Sequence, residues 1–199
     1  MIPVIGIIGG IGSGKSLVAQ DMQRLGGHLI AADQLGHDAL KQADILAKLV
    51  ELWGGQILNK HGAADHQKLA AIVFADPHQL RSLEALVFSY IEQRIVEEIA
   101  QAQDWPDVRF IILDAAILIE AGWHRHCDKF VFVEAPRKQR LARVKKNRGW
   151  DEAELDRREA TQMPLDEKRN LADAVIVNDE KPDKVARQVQ SLLLQWQVI

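Results

Sequence analysis

The stretch Gly9-Gly10-Ile11-Gly12-Ser13-Gly14-Lys15-Ser16 constrains this chain more than any other, because it follows the apolar run Pro3-Val4-Ile5-Gly6-Ile7-Ile8 without a break. Gly9, Gly14, Lys15 and Ser16 fit G-x-x-x-x-G-K-[ST], a loop whose successive backbone N–H groups wrap around a polyphosphate at a helix N-terminus. Glycine is needed there because side chains would block that approach and several positions want positive φ. In such a loop Lys15 neutralises β- and γ-phosphate oxygens and the Ser16 hydroxyl holds Mg²⁺. Gly10, Ile11, Gly12, Ser13, Gly14, Lys15, Ser16 and Leu17 are therefore the predicted nucleotide-binding residues. Beyond them Val18, Met22 and Leu25 recur at helical spacing until Gly26-Gly27 stops the pattern, so strand, loop and helix are written in order.

The rest of the composition narrows the class of protein. A chain of 199 residues with 47% hydrophobic and 27% charged residues is long enough to bury a sizeable core. One principal domain with an inserted region is the expectation. A formal charge of −3 and a sequence pI near 6.2 argue against nucleic acid as an obligatory partner. Cys127 is the single cysteine, which excludes an intrachain disulfide framework and fits a reducing compartment. Charged residues interrupt every apolar run short of the ~18 residues of a membrane helix. No signal segment precedes the first strand of the chain as given, so a cytoplasmic location without a membrane partner is expected. No feature points to an obligatory protein partner.

Taken in order, His28-Leu29-Ile30-Ala31-Ala32-Asp33 reads as a second parallel strand with Asp33 at its C-terminal edge, where ligands of open α/β sheets sit. His37, four residues on, would share a helix face with Asp33. Residues 35–105 then have helical periodicity, divided by Gly54-Gly55, Gly62 and Asp76-Pro77, and read as an inserted helical substrate region. Val108 to Asp114 reads as a strand ending in a carboxylate, the form of an element that holds Mg²⁺ directly or through water, which makes Asp114 a second candidate metal ligand beside Ser16. Lys129 to Glu134 and Ala174 to Val177 read as the fourth and fifth strands, and Pro182 to Trp196 as the closing helix. The fold predicted is α/β: a five-stranded, doubly wound parallel sheet. Its core is 1–34, 106–136 and 166–199, with the helical insert at 35–105 and a lid at 137–165.

The lid begins with Arg137 to Arg148, which carries seven basic residues and no acid, followed by Asp151, Glu152, Glu154 and Asp156. Most of these charges read as a solvated helix paired with the acidic segment. Opposite a phosphate loop, one or two arginines are expected to close over the transferring phosphoryl group. Arg143 is the first candidate and Arg148 the second, with Arg140 able to replace either. His124, His126 and Cys127 cluster, but three donors without further partners make a poor metal site. The string Asn59-Lys60-His61-Gly62 lacks the aspartate of a guanine-reading N-K-x-D element, which disfavours a GTPase. Size, insert and lid together suit a small-molecule kinase of the nucleoside-monophosphate-kinase type.

The motifs resemble those of the dephospho-CoA kinase family nearly from end to end. Gly9 to Ser16 is similar to that family's GGIGSGKS loop, and Ala32-Asp33 with His37 to its A-D-x-x-x-H segment. Leu69, Val73-Phe74 and Asp76-Pro77 resemble L-x-x-x-V-F-x-D-P, and Leu83-Glu84 the L-E that follows. Leu113-Asp114 with Ile117-Leu118-Ile119-Glu120 resembles D-x-P-L-L-F-E, and Gln162, Lys168, Ala172-Asp173, Val175-Ile176 and Asn178 its Q…K…A-D-x-V-I-x-N tail. The chain departs from the pattern at Ala116 for proline, Phe88-Ser89 for His-Pro, His66 for arginine and Ala31 for Asp or Asn, mostly where the acceptor is held.

The resemblance implies ATP-dependent phosphorylation of the ribose 3′-hydroxyl of dephospho-CoA, with Mg²⁺ accompanying ATP. Asp33 would accept or orient the acceptor hydroxyl proton, a role compatible with capping a helix. Lys15, Arg143 and Arg148 would serve the phosphoryl group. Asn178 would sit near adenine, and His37, Ile117, Leu118 and Glu120 would join Asp33 in holding the acceptor. Two other readings stay open: a kinase of this fold for another nucleoside or nucleotide, and a non-catalytic ATP-binding relative.

Overall fold

Five parallel strands form one sheet in the order β2-β3-β1-β4-β5 in the computed structural model, which describes residues 1–73, 75–179 and 182–199. They are β1 (Val4–Gly9), β2 (Gly27–Ala31), β3 (Phe110–Asp114), β4 (Lys129–Glu134) and β5 (Ala174–Val177). Packing divides the chain into two compact units, residues 1–31 with 98–199, and residues 32–97. Phe74 of the V-F pair lies outside the described residues.

In the sheet unit every residue of β1 is buried, as a central parallel strand covered on both faces requires. On one face Ile5, Ile7, Phe110, Ile112, Val131, Val133 and Ile176 pack against Val18 and Met22 of α1 (Lys15–Arg24) and Val185, Val189 and Leu193 of α9 (Pro182–Gln195). On the other, Leu118 and Phe130 come so near Gly6 that a Cβ there would meet both at 2.9 Å. The chain leaves β1 for β2 on one side and later takes up β4 on the other. That puts the loop after β1 at the switch point, where an open α/β sheet forms its ligand crevice.

Two strand limits differ from the sequence reading. The Val108 N–H turns back to the Trp105 carbonyl at 3.2 Å, so β3 starts only at Phe110. β2 ends at Ala31, and Asp33 is not a strand-end residue: the backbone closes at Ala32 into α2 (Ala32–Ala39). Ala32 is buried at 1% exposure, and Asp33 falls in the first turn of α2, where the helix dipole favours a carboxylate.

The 32–97 unit contains α2, α3 (Ala43–Trp53), α4 (His66–Val73) and the part of α5 (Pro77–Ala102) up to Glu97. Ile45, Leu49, Val87, Ile91 and Ile95, at the helical spacing read from the sequence, are buried together with Leu35, Trp53, Ile57, Leu69 and Val73, whereas Leu52 of the same pattern is exposed. Asp65 caps α4 through its Oδ1, which accepts the Gln67 and Lys68 N–H groups at 3.0 and 3.2 Å. Asp76 does the same for His78 at 2.8 Å, with Pro77 at the first helical position. Asn59 Oδ1 accepts the His61 and Ala63 N–H groups, so the Asn59-Lys60-His61-Gly62 string is a turn that closes on itself. Among the described residues no helix is long and apolar enough to cross a membrane.

Candidate functional site

The loop from Gly9 to Ser16 bends back over the start of α1 with Gly12 and Gly14 at φ +76° and +96°, the left-handed region that glycine enters without strain. Space demands glycine at these two positions as well. A Cβ on Gly12 would meet the Arg140 carbonyl at 2.7 Å, and one on Gly14 would overlap the Asn178 amide nitrogen. The loop is thus pressed against α6 (Arg137–Arg148) on one side and the end of β5 on the other.

Side chains from those two elements hold the loop by its carbonyl oxygens. Arg143 donates to the carbonyls of Gly12 and Ser13 at 3.3 and 3.0 Å, and to the backbone and side-chain oxygens of Asn178 at 2.9 and 3.2 Å. Buried Asn178 donates its own amide to the Ser13 carbonyl at 2.7 Å. Arg140, 5% exposed, reaches the Ile11 carbonyl at 3.3 Å and pairs with Glu159. Lys15 Nζ lies 3.0 and 3.3 Å from the carbonyls of Gly9 and Gly10. The Gly10 carbonyl also accepts the Ser13 N–H at 3.1 Å, so the loop's carbonyls find their partners within the chain.

The arginines predicted for the lid are therefore divided by the fold. Arg143 and Arg140 reach the loop, but on its carbonyl side. Arg148, the second candidate, is exposed and stacks on the Trp150 ring at 4.8 Å, a cation–π contact that Arg158 repeats at 4.2 Å. Arg137, which the sequence did not single out, binds Asp156, Glu152 and Glu159, and these acids hold its guanidinium above the usual arginine range, Asp156 first. It fastens α6 to α7 (Glu152–Glu159).

At the sheet edge Asp114 closes β3 in register with Ile7 of β1 and Ala31 of β2, close in the sheet to where β1 enters the loop. Ser16 is exposed in the first turn of α1. Both offer hard oxygen atoms, the donor type that suits Mg²⁺ rather than a softer ion. In the turn after β3, Leu118 is 1% exposed and packs on Gly6, so it supports the turn from beneath rather than presenting a surface. Ile117 is half-buried beside it. Glu120 points to the segment before α8 (Leu165–Asn170), accepting the Met163 N–H and the Lys168 ammonium, each at 2.8 Å. Lys168 also lies 3.4 Å from Gln162 Oε1, so three motif residues far apart in sequence form one network.

In the 32–97 unit, Asp33 and His37 are both exposed on α2, one turn apart. The ring of His37 meets that of His66 edge-on, with centroids 5.1 Å apart. His66, the departure from the arginine of the motif, thus adjoins a candidate acceptor residue. Among the described residues no group of three or more His, Cys, Asp or Glu is arranged to hold a metal. Burial, then Asp128, pushes the Cys127 thiol up to about 12, and burial, then Arg125, lowers His126.

The dephospho-CoA kinase family model matches residues 3–184. The dephospho-CoA kinase of Geobacter metallireducens is 38% identical over 192 residues, covering 95% of this chain and 94% of the relative. That of Carboxydothermus hydrogenoformans is 33% identical over 201 residues, covering 98% and 95%. Among solved structures, a Thermus thermophilus protein superposes with TM-score 0.82 at 31% identity, covering 98% of this chain and 97% of that one. Shikimate kinase from Acinetobacter baumannii shares the fold, with TM-score 0.55 at 16% identity over 100% and 97% of the two chains. With a glycine loop braced at the sheet's switch point and relatives that match nearly the whole length, the chain belongs to the dephospho-CoA kinase family.

Proposed function

We propose that this chain transfers the γ-phosphoryl group of ATP to the ribose 3′-hydroxyl of dephospho-CoA, releasing ADP and coenzyme A. The observation that carries the reading is the bracing of the Gly9–Ser16 loop through its carbonyls by Arg143, Asn178 and Arg140, in a chain of this family. Two donors bordering the loop, the Ser13 hydroxyl and Arg140 Nε, are buried without a hydrogen-bond partner, a condition suited to a site that an anion completes.

Phosphoryl transfer asks the protein for position and charge neutralisation more than for covalent chemistry. The bond from the γ-phosphorus to its bridging oxygen breaks, one to the ribose oxygen forms, and the hydroxyl proton passes to Asp33. Loop N–H groups and Lys15 hold the triphosphate. Arg143 and Asn178 keep those N–H groups aimed, so their catalytic contribution runs through the loop. Arg140 borders a cavity of about 260 Å³ with Gly10, Glu134, Leu165, Asp166 and Arg169. On the acceptor side the candidates are His37 and, in the turn after β3, Ile117 and Glu120. Ser16, with Asp114, would hold Mg²⁺, which neutralises charge on the β- and γ-phosphates.

A coupled ADP-release assay tests the reading, with dephospho-CoA beside adenosine and AMP. Turnover dependent on dephospho-CoA is expected. Turnover with another acceptor and none with dephospho-CoA would move the chain to a different kinase of this fold, and ATP binding without turnover on any acceptor would make it a binding module.

A further inference from the structure

Helix α8 touches the phosphate loop with one residue and the turn after β3 with another. Leu165 lies against Gly10, where a Cβ would meet its methyl carbons at 3.2 Å. One turn on, Lys168 is 2% exposed and its ammonium sits 2.8 Å from Glu120 Oε1. The same carboxylate oxygen accepts the Met163 N–H at 2.8 Å, and Gln162 Oε1 completes the surroundings of the ammonium at 3.4 Å. Two residues before Glu120, Leu118 is wedged on Gly6 of β1. A short, closed set of contacts therefore runs from Gly10 through Leu165 and Lys168 to Glu120, and back to the sheet through Leu118.

A lysine withdrawn from water this far is costly unless its charge is paired, and a buried pair adds little cohesion over apolar side chains of similar volume. What an ion pair with directional hydrogen bonds adds is register, because its atoms have one good arrangement while apolar surfaces slide. We propose that Lys168 is a positioning residue for phosphoryl transfer: by pairing with Glu120 it sets the spacing between the loop mouth at Gly10 and the turn 115–120. The inference rests on the reading of that turn as an acceptor-holding element. Arg143 and Asn178 hold the loop itself by separate bonds, so the pair is not needed for ATP to bind.

The test compares wild type, Lys168→Met, and the double variant Glu120→Gln/Lys168→Met. The double variant removes both charges of the pair, and the amide oxygen introduced at 120 still accepts the Met163 N–H, so it decides the matter if the single variant fails to fold. In both variants kcat/KM for dephospho-CoA is expected to fall about a hundredfold, the scale of a misplacement of roughly 1 Å between reacting groups. The Kd for ATP, measured without acceptor, should be unchanged. A lowered Tm with wild-type kcat and KM overturns the inference, and so does a parallel loss of ATP affinity. Wild type in the same assay separates two failures: no wild-type turnover contradicts the acceptor reading and this inference with it, whereas wild-type turnover with unaltered variants contradicts this inference alone.

Discussion

Around Gly9–Ser16 the groups that would touch a ligand are backbone amides, held by side chains from two other elements; in the 32–97 unit they are exposed side chains on a short helix. The loop is over-determined: Arg143 alone meets four oxygens on the loop and Asn178, and Asn178 returns a bond to Ser13. Asp33 and His37 sit exposed on α2, and His37 meets the His66 ring of its own unit. The difference teaches what each kind of contact can specify. A polyphosphate can be read by amides that any residue supplies, so the chain specifies shape there; an acceptor hydroxyl needs a particular side-chain atom.

Substitutions should separate the two regions. Gly14→Ala is expected to have the largest effect, because the new methyl meets Asn178 while the backbone must hold φ +96°. MgATP, which should raise the Tm of wild type, should no longer do so, as measured by thermal unfolding. Asp33→Asn should leave ATP affinity intact and lower kcat about a hundredfold, the size of a general-base contribution. Wild-type turnover in that variant would remove Asp33 from the chemistry. Asn178→Ala removes the bond from the Asn178 amide to the Ser13 carbonyl and one of the acceptors of Arg143, at a cost of about 1–3 kcal/mol. It should therefore weaken ATP binding roughly tenfold or more while KM for the acceptor holds; the reverse pattern, read from a KM–kcat comparison, would dissolve the contrast between the regions.

The smallest effect is expected away from both. Cys127, pushed up to about 12 chiefly by burial, stays a neutral thiol, so the native protein should resist iodoacetamide at about pH 8. The sign follows from the raised value: its contribution to stability is complete below the ordinary thiol range near 9 and is lost as pH climbs toward about 12. Rapid native-state alkylation, followed by mass spectrometry, would contradict the burial.

Much of the sheet was legible because its signals are local. The limits of β4 and β5 follow from short apolar runs bounded by turn residues, and G-x-x-x-x-G-K-S placed the loop at once. The end of β2 was not, because Ala31-Ala32 continues the apolar run although the backbone has already turned into a helix at Ala32. Nor did the basic run 137–148 reveal that Arg143 and Arg140 face loop carbonyls while Arg148 lies over Trp150. Those partners are more than a hundred residues away in the loop but next door at Trp150, and composition is the same for both. The Glu120–Lys168 pair was hidden for the same reason: each residue belonged to a different motif, and only the fold joins them.

The central claim is phosphorylation of dephospho-CoA at the ribose 3′-oxygen. Phosphorus NMR of the product formed from ATP and dephospho-CoA addresses it directly. The account predicts a new phosphomonoester signal coupled to the ribose H3′, in step with ADP. A phosphate on another oxygen, or ADP accompanied only by inorganic phosphate, would contradict it.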